Sequence, residues 1–64
     1  MVSDKDIWFA ASLLIQRHGD EAELLAAQRA DEMLERGDFE EQAAWLRIKR
    51  AVVELRAAPS GLAH

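Results

Sequence analysis

Apolar residues recur along this chain at helical spacing, in three blocks cut by two glycine–aspartate steps. In the first block, at about 100° per residue, Ile7, Ala11, Leu14, Ile15 and His18 share one face, with Trp8 at its edge. Phe9 and Leu13, four residues apart, point the other way, and Lys5, Ser12 and Gln16 form a narrow polar strip. In the second block Ala22, Ala26, Ala30, Met33 and Leu34 make the stripe, opposite Gln28, Asp31, Glu32 and Glu35. In the third, Ala44, Trp45, Ile48, Ala51, Val52 and Leu55 make a wide stripe. Phe39, Ala43, Leu46 and Val53 make a second one on the far side, with Arg50 inside it. A helix that is apolar on two sides needs neighbours on two sides.

The breaks between blocks carry their own chemistry. Gly19-Asp20-Glu21-Ala22-Glu23 is echoed by Gly37-Asp38-Phe39-Glu40-Glu41. Glycine takes the positive-φ conformation that closes a helix. The following aspartate accepts from the first free N–H groups of the next helix, and the acid three residues on completes a capping box. Ser3, with Asp6 three residues later, reads as the first N-cap. The pattern predicts an all-α chain of three short helices, about 4–18, 21–36 and 39–57, joined by tight Gly-Asp turns. Pro59-Ser60-Gly61 stops the last helix, so 1–58 reads as one domain and 59–64 as a flexible tail. Glu32 with Arg36 and Arg50 with Glu54 are spaced to pair along their helices. The expected core is Ile7, Trp8, Ala11, Leu14, Ile15, Ala26, Ala30, Met33, Leu34, Trp45, Ile48, Val52 and Leu55.

Size makes that core thin. A chain of 64 residues hides only about 60% of its unfolded surface. No cysteine is present to staple it, and no Cys/His cluster to hold a structural zinc. The remaining remedy is self-association. Half of the residues are hydrophobic, enough to leave apolar surface for a second chain. Phe9, Leu13, Phe39, Leu46 and Val53 are left over once one core is filled. They are the candidate protein interface, unless a different helix rotation turns some of them inward. Asp4 and Asp6 precede the apolar run Ile7–Ile15, where a secretory signal carries positive charge. That run is too short for a bilayer, which takes about 20 residues. A cytoplasmic protein without membrane contact is expected.

Charge is uneven. Residues 1–41 carry eleven acids against four bases, whereas residues 42–64 carry Arg47, Lys49, Arg50 and Arg56 against Glu54. The two halves can neutralise each other within the fold or across a dimer. The alternative is a nucleic-acid-binding regulator that offers the basic third helix, with Arg47, Lys49 and Arg50 as contacts. Against it, these three spread around the helix, and the chain as a whole is acidic at −4.

No catalytic set emerges. His18 and Asp20 are the nearest chemical pair, but the imidazole suits the C-terminal end of a helix dipole and Asp20 is expected to cap. Glu32, Glu35, Asp38, Glu40 and Glu41 crowd the second turn without calcium-loop spacing and read as solvated surface. Trp8 and Trp45 read as core or interface anchors rather than ligand-stacking groups. Neither Gly-Asp step has phosphate-loop spacing. No cofactor, metal or small-molecule ligand is expected, and no enzymatic activity.

The words Asp6-Ile7-Trp8, His18-Gly19-Asp20 with Ala22, Ala27, Arg29-Ala30-Asp31 with Leu34, Gly37-Asp38, and Trp45 with Ile48 span nearly the whole chain. In them it resembles a family of short uncharacterised bacterial proteins, a domain of unknown function. The resemblance implies an all-α fold over about residues 6–55 and no particular activity. It also implies a role for Arg29 and Asp31, for which a link from Arg29 to a helix terminus or to Asp38 is one physical reason. The expectation for the chain is a small helical interaction module, its bundle completed by homodimerisation.

Overall fold

The computed structural model describes residues 3–57, and everything regular among them is helical. Helical backbone runs without a gap from α1 (Asp4–His18) through a 3-10 turn (Gly19–Glu21) into α2 (Ala22–Glu35). It resumes after a glycine turn as α3 (Phe39–Ala57). The expected bounds 21–36 for the second helix shrink by a residue at each end. The 59–64 tail lies outside the described residues.

Ser3 starts α1 as expected, its hydroxyl accepting from the Asp6 N–H at 3.3 Å. The two glycine steps then differ. Gly37 has φ +75°, its N–H donates to the Leu34 carbonyl, and the Asp38 N–H donates to the Met33 carbonyl. That is a Schellman closure of α2. Asp38, free of helical geometry, caps α3 by accepting from the Glu41 N–H at 3.2 Å. Gly19 also has positive φ, +56°. The chain after it turns straight into a 3-10 helix, and the Ala22 N–H finds the Gly19 carbonyl. Backbone acceptors therefore serve the start of α2, and no side chain caps it. The expected Asp20 cap is corrected accordingly: the Asp20 carboxylate accepts from Arg56 of α3 instead.

α3 is the common support. α2 packs along it most extensively and α1 packs on it next, while α1 and α2 touch each other little. The shortest extent is 15 Å, the depth of two helices packed about 8–10 Å apart. Each helix therefore has one covered face and one open face.

Alanine fills the contact. Ala11, Ala22, Ala26, Ala30 and Ala51 are buried together with Ile7, Ile48 and Val52, and Val52 is the largest side chain with no exposure. Ala22, Ala26 and Ala30 lie four apart on α2 and let α3 approach closely. Close approach leaves no room for large side chains on the shared line. Leu14, Ile15 and Trp45 are half-buried against the core, and Met33 is half-buried too. Trp8, Leu34 and Leu55, expected inside, are exposed at the rim.

Candidate protein interface

The residues left over from the core remain outside it. Phe9 is 70% exposed, Phe39 63%, Leu46 45% and Val53 39%. Leu13 differs: it is half-buried and lines a shallow groove of about 220 Å³ with Ala10, Leu14, Arg17, His18 and Trp45.

These residues do not make one patch. Ile7 and Ala11 turn one side of α1 into the core, and Phe9 lies about 160–200° around the helix from them. Ile48, Ala51 and Val52 turn one side of α3 inward, and Phe39, Leu46 and Val53 lie on the other side. Because α1 and α3 pack on each other, their outer faces look in opposite directions. Phe9 belongs to one surface, and the α3 row belongs to another.

The α3 row is the more regular. Phe39, Leu46 and Val53 follow one another at seven-residue steps, and Ala43, Arg50 and Ala57 follow at the same step four residues later. All six are exposed. Alternating spacings of four and three are the seam of a coiled coil. The sequence already carried this signal in its second apolar stripe. Arg50 then reads as a seam residue, whereas the charge pattern alone marks it as a candidate contact for an anion.

The arginines of α3 are engaged with carboxylates. Arg47 pairs with Asp4 at the start of α1, and Arg56 pairs with Asp20 in the turn. Arg50 pairs with Glu54 on its own helix at 3.2 Å, as its spacing predicts. Lys49 is half-buried. Arg47 and Arg50 lie three apart on one side of the helix and line the same cleft, whereas Lys49 lies well around from both, so the three do not form one basic face. The charge complementarity read from the two halves of the sequence is thus realised within the chain, joining α3 to α1 and to the turn. On α2, Glu32 pairs with Arg29 at 3.4 Å. Among the described residues neither the expected Glu32–Arg36 pair nor the suggested link from Arg29 to Asp38 is formed, and Asp38 accepts from the Glu41 N–H.

Two other features have some of the makings of a site. A cleft of about 240 Å³ between α1 and α3 is lined by Asp4, Ile7, Trp8, Arg47, Arg50 and Glu54, with Ala51 at its floor. Its arginines already face carboxylates. His18 and Asp20 are both exposed, and Asp20 is held by Arg56. Among the described residues no three His, Asp or Glu side chains gather as a metal site, and no helix is long and apolar enough to cross a membrane. Comparison of the chain with known protein families, curated proteins and solved structures finds no match to any of them.

Proposed function

We propose that this chain is a protein-interaction module that self-associates as a homodimer and has no catalytic role. One observation carries the reading: the interior is built mostly from alanine, while the large apolar side chains of α3's second stripe stand in solvent. Burial of apolar area yields about 25 cal/mol per Å². The fold forgoes that gain at Phe39, Leu46 and Val53, and a partner chain recovers it. The resemblance of residues 6–55 to a family of short bacterial proteins adds a fold to this reading, and no activity.

Sedimentation velocity of the wild type and of Leu46→Glu tests it. The wild type is expected to sediment as a dimer. Leu46→Glu is expected to be a folded monomer, because residue 46 lies outside the chain's own core. A wild type that stays monomeric, or a Leu46→Glu variant that dimerises as well as the wild type, refutes the reading.

A further inference from the structure

We propose that α3 pairs antiparallel with α3 of a second copy, along the seam Phe39, Ala43, Leu46, Arg50, Val53 and Ala57. This inference rests on the self-association proposed above and names the helix, the direction and the layers. Three features of the helix select a second copy running in the opposite sense.

The first is size. An antiparallel pairing centred on the middle of the helix sets Phe39 against Ala57 of the second copy, Ala43 against Val53, and Leu46 against Arg50. Every layer then joins one large and one small or flexible residue, which is the arrangement a close-packed seam requires. A parallel pairing stacks Phe39 on Phe39 and leaves Ala43 on Ala43, alternately overfilled and underfilled.

The second is the single charge in the seam. In a parallel pair Arg50 meets Arg50, like against like. In the antiparallel pair the Arg50 stem lies along Leu46 and its guanidinium reaches water at the edge. Its present partner Glu54 is on the same helix and stays with it. One polar residue in a seam is a known means of fixing orientation.

The third is the charge along the helix. Its first turn carries Glu40 and Glu41 and its last turn carries Arg56. Antiparallel pairing keeps the two acidic ends apart and opposes the two helix dipoles. Parallel pairing sets acid beside acid.

Because the chain has no cysteine, introduced thiols report without background. Ala43→Cys, Val53→Cys and an equal mixture of the two are treated with a short bis-maleimide. The inference predicts a covalent dimer in the mixture at least tenfold more abundant than in either variant alone. Residues 43 and 53 meet across the seam, whereas like positions sit about 15 Å apart along it. Strong cross-linking of Ala43→Cys alone means a parallel pair and overturns the inference. No cross-link in a protein that sediments as a dimer overturns it too, and leaves self-association standing through another face. Monomeric sedimentation removes both. If either variant loses helicity by circular dichroism, Phe39→Cys with Ala57→Cys repeats the test at the ends of the seam.

Discussion

Val52 and Val53 are neighbours of one residue type on opposite faces of α3, and they separate the two roles of that helix. Val52 has no exposure and sits in the contact with the other helices. Val52→Ala removes two methyl groups, about 1.6 kcal/mol at roughly 0.8 kcal/mol each. The cavity left behind raises the cost to about 2–3 kcal/mol. A core of this size supplies only about 3–5 kcal/mol, so the variant lies near the edge of folding. Val53 is 39% exposed, and Val53→Ala costs the isolated chain under about 1 kcal/mol. In a dimer its cost takes another form: weaker association lowers apparent stability more as protein concentration rises. Urea unfolding at two concentrations a hundredfold apart reads both effects. Val52→Ala is expected to lose the same amount at each concentration. The deficit of Val53→Ala is expected to grow with concentration. A Val53→Ala deficit independent of concentration, or equal to that of Val52→Ala at the lower one, refutes the reasoning.

Other substitutions probe the local account. Ala26→Leu forces a branched side chain into a fully buried position of the core and is expected to cost about 1–3 kcal/mol, read as a markedly lower urea midpoint. Gly37→Ala places a Cβ at φ +75° and is expected to cost about 1–2 kcal/mol, seen as a lower urea midpoint with an unchanged slope. The Asp4–Arg47 pair is half to mostly exposed, so a double-mutant cycle to alanine is expected to give under about 1 kcal/mol of coupling, shrinking further in 1 M salt.

Much of the backbone was legible in the residues because its punctuation is local. Ser3, Gly37 and Asp38 each act on groups within five residues, and the structure uses them as their chemistry predicts. Asp20 carries the same signature and does something else. Whether the chain after Gly19 pauses or winds directly into a 3-10 turn depends on where α2 must go to meet α3, which no local rule contains. The core was legible only in part for a similar reason. Hydrophobicity ranks Trp8, Leu34 and Leu55 above Ala22 and Ala51, yet the shared line between close helices admits the smaller residues. The ion pairs follow the same division. Arg50–Glu54 is set by helical spacing alone, whereas Asp4–Arg47 and Asp20–Arg56 span three-dimensional contacts. The candidate interface was legible as a second apolar stripe. Its splitting into a Phe9 face and an α3 face was not, because that depends on how α1 lies on α3.

Phe39, Leu46 and Val53 are apolar side chains that this chain's own thin interior leaves uncovered, and a second copy is expected to cover them. The light-scattering mass of the wild type over a dilution series tests it most directly. A mass of twice the 7.2 kDa chain, falling toward one chain on dilution, is the predicted result. A single-chain mass at every concentration up to about 1 mM, where even an association worth about 4 kcal/mol is half formed, contradicts it.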